Sequence, residues 1–172
     1  MKYLFIFFSL LTSLICCSVF LTYRAQFNLF YPDLANKPIK SLDDFDDQFS
    51  FFPNISPTAL PLKALRAAYA LNQGNYILGD KLLTEAQIDN PYIGFPELVK
   101  ARTFYDQGNI DSSSHYAKLA FTKWPKSTEN YKFYLKTLSF QGDTLGILEA
   151  YSQIEDVFRD RKKFGDEFIN AY

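Results

Sequence analysis

Two kinds of hydrophobic pattern divide the chain. From Tyr3 to Tyr23, 21 residues pass without a charge, YLFIFFSLLTSLICCSVFLTY. At roughly 1.5 Å per residue a helix of that length reaches about 31 Å, close to the hydrocarbon thickness of a bilayer. Beyond it the apolar positions thin out and become periodic. Tyr131, Tyr134, Leu135 and Leu138 fall at i, i+3, i+4 and i+7, and Gly79, Leu82, Leu83 and Ala86 repeat the spacing. Each set puts one apolar stripe on a helix. The breaks between stripes predict helices over about 59–72, 76–89, 94–106, 110–123, 128–140, 144–157 and 158–170. Pro61 and Pro96 fall in first turns, where a missing N–H is tolerated.

The uncharged segment is read as a signal anchor, residues 1–24 including its flanks. Tyr3 and Tyr23 stand where interfacial aromatics belong, and Arg24 closes the span. Lys2 and the amino terminus put about two positive charges before it and Arg24 puts one after, which favours an N-in, C-out orientation. Two other readings remain. In one, Leu14-Ile15-Cys16-Cys17 resembles a lipoprotein signal with Cys17 as acceptor, although Cys16 is unusual just before it. In the other, the segment is cleaved on secretion, although the run is long and ends in no A-x-A-like site. All three put the rest of the chain at a membrane or beyond it.

Residues 25–57 form a linker punctuated by Pro32, Pro38, Pro53 and Pro57. It carries Phe27, Phe30, Tyr31, Phe45, Phe49, Phe51 and Phe52, more aromatics than a solvated spacer needs. They are expected to pack on a folded part or rest at the membrane interface. A short helix is expected from about 41 to 49, with Ser41 as N-cap and Asp43 and Asp44 in its first turn. Asp43, Asp44, Asp46 and Asp47 read as a solvated acidic face rather than a cation site. Asn54-Ile55-Ser56 fits a glycosylation sequon, which matters only in a eukaryotic secretory host.

The clearest signal is a repeat. Gln73-Gly74-Asn75, Gln107-Gly108-Asn109 and Gln141-Gly142-Asp143 recur every 34 residues. In the same frame Ala67 and Ala101 precede their glycines by seven, Ala86 and Ala120 follow by twelve, and Pro91 and Pro125 follow by seventeen. This pattern resembles the tetratricopeptide repeat (TPR) over about residues 59–158, with Gly79 as the small residue of a second helix. Ser113 replaces the usual alanine in the second unit. The third unit is degenerate, with Leu135, Ile154 and Arg159 at the small, small and proline positions. The resemblance implies an all-α protein: a transmembrane helix, then a TPR-like α-solenoid of three hairpins over 58–158 with a shared core, then a capping helix over 159–172. The cap combines Arg159, Arg161, Lys162 and Lys163 with Phe164, Phe168 and Ile169.

The resemblance also implies function, since repeats of this family hold peptides or protein surfaces in the groove lined by first helices. Its groove positions fall on Ala64, Ala68 and Leu71, then Leu98, Arg102 and Tyr105, then Lys132, Lys136 and Ser139. Leu98, Arg102, Tyr105, Lys132 and Lys136 are taken as the partner-binding set, with Arg102, Lys132 and Lys136 suited to an acidic segment or a terminal carboxylate. The asparagine of the family's chaperone-binding clamp is lacking. Ordinary solvation of exposed helix faces is the competing reading of these cations.

Composition narrows the function classes. The chain has 172 residues, 48% hydrophobic and 22% charged, which fits one folded domain plus an anchor. Aromatics reach 18% and Gly numbers only 7, in keeping with helices. A formal net charge of −1 gives no basic field for nucleic acid. Cys16 and Cys17 are the only cysteines and His115 the only histidine, so no disulfide beyond residue 24 and no zinc site is expected. His115 has no partnered nucleophile or carboxylate motif and reads as a surface residue. Ser112, Ser113 and Ser114 read as serving a helix N-terminus. The expected protein is a non-enzymatic, cofactor-free adaptor or scaffold in the inner membrane of a bacterial envelope. Its repeats lie outside the cytoplasm and hold a protein or peptide partner. Alternatives are a lipoprotein of an outer-membrane assembly complex, acylated at Cys17, and an accessory to surface-polysaccharide or cytochrome-maturation machinery.

Overall fold

The computed structural model describes residues 2–31, 33–35, 37–49, 56, 59–157 and 161–171, and the side chains of these apart from 2, 155–157 and 161–164. Phe51, Phe52, the sequon asparagine and the basic run of the cap therefore lie outside what is described. Among the described residues all regular structure is helical. The chain divides into two compact units, Met1–Pro53 and Asn54–Tyr172.

The first unit joins the apolar segment to the linker. Helix α1 spans Lys2–Phe30 and helix α2 spans Leu42–Phe49. Residues 3–30 of α1 are long and apolar enough to cross a membrane, and none of its most apolar stretch is buried inside the unit. Its polar side chains are compatible with lipid. Thr12, Ser13 and Thr22 donate their hydroxyls to carbonyls four residues back, at 2.8, 2.9 and 2.8 Å, so they cost little there. The helix runs past Arg24 to Phe30, and one face of its last turns is covered while Phe30 stays exposed. Ala25 and Asn28 are each 4% exposed, and the Asn28 amide donates to Gln48 Oε1 at 2.7 Å. Phe45 and Phe49 are buried, and stack at 4.6 Å. Ser41 caps α2 as expected. Its Oγ accepts the Asp44 N–H at 3.1 Å, while Asp44 Oδ2 accepts the N–H groups of Ser41 and Lys40 at 3.1 and 3.2 Å. The Ser41 side chain, with the Lys40 amide next, holds the Asp44 carboxyl below its ordinary value.

The second unit is built from successive helix pairs: α3 (Leu62–Asn72) with α4 (Tyr76–Asp89), α5 (Phe95–Asp106) with α6 (Ile110–Lys123), α7 (Thr128–Gln141) with α8 (Thr144–Val157). A last helix, α9 (Arg161–Ala171), packs on α7 and α8. Five of these seven helices agree with the periodicity to within a residue at both ends, while α3 and α9 each begin three residues later than expected. The repeated Gln-Gly-Asn/Asp turn explains the pairing chemically. Gly74, Gly108 and Gly142 adopt φ of +79°, +77° and +68°, a left-handed conformation open to glycine without penalty. Each amide of the glycine and the next residue then satisfies a carbonyl of the ending helix, as in Gly108 N to Tyr105 O and Asn109 N to Phe104 O, both 2.9 Å. The Asn or Asp side chain caps the next helix: Asn75 accepts from Leu78 N at 3.2 Å, Asn109 from Ser112 N at 3.1 Å and Asp143 from Gly146 N at 2.9 Å. Three residues thus end one helix and start another.

Small residues sit where helices meet. Ala67, Ala86, Ala101 and Ala120 are fully buried, and so are Leu135 and Ile154, which enlarge the core of the last pair. The serines before His115 do not cap α6, because Asn109 does. Instead Ser113, fully buried, donates to Ala101 O at 2.8 Å and ties α6 to α5. Asn130 joins successive pairs: 2% exposed, its amide donates to Ile93 O at 3.2 Å and Ala120 O at 2.9 Å. Gln87 and Lys123 both reach the buried Glu97 carboxylate, linking α4, α5 and α6. Tyr131 and Tyr134 are buried, and burial raises both phenols above the ordinary value of 10.0.

Candidate functional site

A groove of about 570 Å³ opens in the second unit between α5, α7 and α9. Helical spacing supplies its floor, since Glu129, Lys132, Phe133, Lys136 and Phe140 form one stripe of α7. From α5, Tyr105 meets Phe133 edge-on at 5.8 Å and Phe140 at 6.1 Å. The Lys136 ammonium lies 4.1 Å from the Tyr105 ring centre and 5.8 Å from that of Phe133, close enough for cation–π attraction.

Four of the five residues expected to bind a partner line this groove: Arg102, Tyr105, Lys132 and Lys136, with Ser139 beside them. Leu98 does not, being 2% exposed. The reason is the central place of α5, which touches α3, α4, α6 and α7, so its first turns are enclosed on every side. Of Ala64, Ala68 and Leu71, only Ala64 is fully buried; Ala68 and Leu71 are half-buried against the core of Leu82, Leu83 and Val99, away from this groove.

The groove is less basic than its cations suggest. Arg102 pairs with Glu129 at 2.8 Å, and Lys132 with Glu167 of α9 at 3.1 Å. Among the described residues Lys136 has no carboxylate partner, so one positive charge stays uncompensated above the aromatic floor. Sequence reasoning missed both glutamates because neither lies on the helix of its partner. Phe133 and Phe140 were legible as neighbours of Lys132 and Lys136 on one helical stripe.

The arrangement can hold an apolar or aromatic group against the rings with an anion near Lys136. Among the described residues of its lining no hydrogen bond joins the Ser139 hydroxyl to a basic side chain. Among the described residues no three His, Cys, Asp or Glu side chains come together to hold a metal. His115 is exposed and touches Tyr116, away from the groove. No protein-family model, curated protein or solved structure matches the chain.

Proposed function

We propose that this chain is a single-span membrane adaptor whose TPR-like helix pairs hold an acidic, apolar segment of a partner protein in the α5–α7–α9 groove. The observation that carries the reading is the Lys136 ammonium, without a carboxylate partner among the described residues, over the Tyr105 and Phe133 rings, with Phe140 edge-on to Tyr105. A side chain laid on those rings would bury apolar area, and a neighbouring carboxylate would complete the charge. The repeated capped turns and the successive helix pairs support the repeat assignment. The protein acts by binding rather than by chemistry. The charge balance around α1 supports a place in the bacterial inner membrane with the repeats outside the cytoplasm, serving envelope assembly or secretion.

The test is a photo-crosslinking amino acid at Phe140, which is 64% exposed, in native membranes, with a control probe at Ile88 on α4. A partner trapped at 140 and not at 88, and lost when Lys136→Glu is added without loss of helical content, is the expected result. Equal trapping with and without Lys136→Glu refutes the groove.

A further inference from the structure

The first unit holds a cavity of its own, about 570 Å³, between the end of the apolar helix and the segment that folds back over it. One wall is a stripe of α1: Leu14, Cys17 and Leu21, continued by Arg24. The other wall carries Lys37 and Asp47, whose charged groups are 3.8 Å apart and both largely exposed. Apolar surface at one end and charge at the other suit an amphiphile.

We infer that this cavity binds one phospholipid of the surrounding bilayer, its phosphate on Arg24 and Lys37 and an acyl chain along Leu14, Cys17 and Leu21. The inference rests on the reading that α1 spans a bilayer. Three observations select the occupant. From Leu14 to Arg24 is ten residues, about 15 Å of helix, which is the hydrocarbon depth of one leaflet. A second membrane helix would instead need the whole span from Tyr3 onward. The charges match as well, since two cations and one carboxylate leave a single positive charge, the complement of one phosphodiester. Among the described residues Arg24 has no carboxylate partner, so its guanidinium is available for a phosphate. Finally, the fold-back segment is fixed by its own contacts, Asn28 to Gln48 at 2.7 Å and Gln48 to Lys37 O at 3.3 Å. The polar wall therefore exists before any lipid arrives.

The experiment uses the full chain in mild detergent. Phosphatidylglycerol is added in one arm and a neutral galactosyl diacylglycerol with the same acyl chains in the other, and retained one-to-one adducts are read by native mass spectrometry. Phosphatidylglycerol is expected to be retained about tenfold more than the glycolipid, and Arg24→Gln with Lys37→Gln to remove that preference. Lys40→Gln, outside the cavity, leaves it unchanged. Equal retention of the two lipids overturns the site, as does an equal loss with Lys40→Gln. A Cys17–Cys17 crosslink on oxidation in a Cys16→Ser background, with no lipid adduct, overturns it in favour of a second copy. Alkaline carbonate washing of membranes separates the two levels. A chain that stays in the pellet but shows no lipid preference loses the site alone, whereas a chain released by the wash loses the membrane span as well.

Discussion

Gly94→Ala tests whether the second helix pair closes as described. Gly94 precedes α5 at φ +63°, and a Cβ there would overlap the Ala120 carbonyl oxygen and stand 2.8 Å from the Ala120 Cα. These are backbone atoms near the end of α6, and they are held. Ala120 O accepts from Trp124 N at 3.2 Å and from the Asn130 amide at 2.9 Å, so α6 cannot retreat without straining its own end and the link to α7. Gly108→Ala, in the turn of the same pair, is the internal control. Its φ is +77°, yet nothing lies within 4 Å of the added methyl. Placing alanine in the left-handed region costs about 1–2 kcal/mol at either site. At Gly94 overpacking adds about 1–3 kcal/mol, for a total of about 2–5. Trp124, the only tryptophan of the chain, sits beside the contact and reports it by fluorescence. With a urea m-value near 2 kcal/mol/M, the midpoint should fall by about 1–2.5 M for Gly94→Ala and about 0.5–1 M for Gly108→Ala. Equal shifts would refute the close approach of Gly94 to α6 and leave only the backbone conformation.

Asn130→Ala removes two donors from buried carbonyls and should cost about 2–3 kcal/mol by the same urea assay, with most of the loss in the coupling between pairs. Lys123→Ala strands Glu97, whose side chain is 3% exposed and whose Oε2 has no hydrogen-bond partner; a loss near 3 kcal/mol is expected, largely restored by Glu97→Gln in the same chain. Tyr131 and Tyr134 have phenols raised by burial, so their neutral forms favour the fold; that stability is intact below about pH 10 and lost as pH rises beyond it. Tyr131→Phe with Tyr134→Phe should move the onset of alkaline unfolding, read by far-ultraviolet circular dichroism, to higher pH, and an unmoved onset would count against the burial argument. Glu167→Gln frees Lys132 and adds positive charge to the groove, so crosslinking at the Phe140 probe should rise if the partner segment is acidic.

The helices were legible because their signals are local. A stripe at i, i+3, i+4 and i+7 needs only the helix that carries it, and Gln-Gly-Asn contains within three residues the left-handed stop and the cap of the next start. The same locality sets limits. The charge of Arg24 closes the uncharged span without ending the helix, since residues 25–30 contain no proline or glycine. Of the linker aromatics, Phe45 and Phe49 are buried, while Phe30 and Tyr31 at the end of the helix stay exposed. The serines before His115 looked like caps because three hydroxyls stand near a helix start. Asn109 already filled that role, which left Ser113 free to bond Ala101 O across the pair.

Leu98 and Lys136 occupy matching kinds of position, yet one is enclosed and the other open, and the difference follows from neighbours rather than from residue type. α5 touches four helices and its first turn, Pro96–Val99, is buried, so an apolar side chain there joins the core. α7 has α9 beside it, a short helix that covers only part of the stripe and brings Glu167 to Lys132. The final helix therefore does more than shield an end: it forms the third wall of the groove and cancels one of its cations. If the groove holds the proposed partner, it does so with one charge over the Tyr105 and Phe133 rings, a surface that would select by apolar fit first and by charge second. Two substitutions separate those contributions. Phe133→Ala removes floor area and should weaken partner crosslinking at every ionic strength, whereas Lys136→Gln should weaken it chiefly at low salt, where a lone exposed charge is least screened. If the two variants show the same salt dependence, the division between rings and charge is wrong and the groove binds by one mechanism alone.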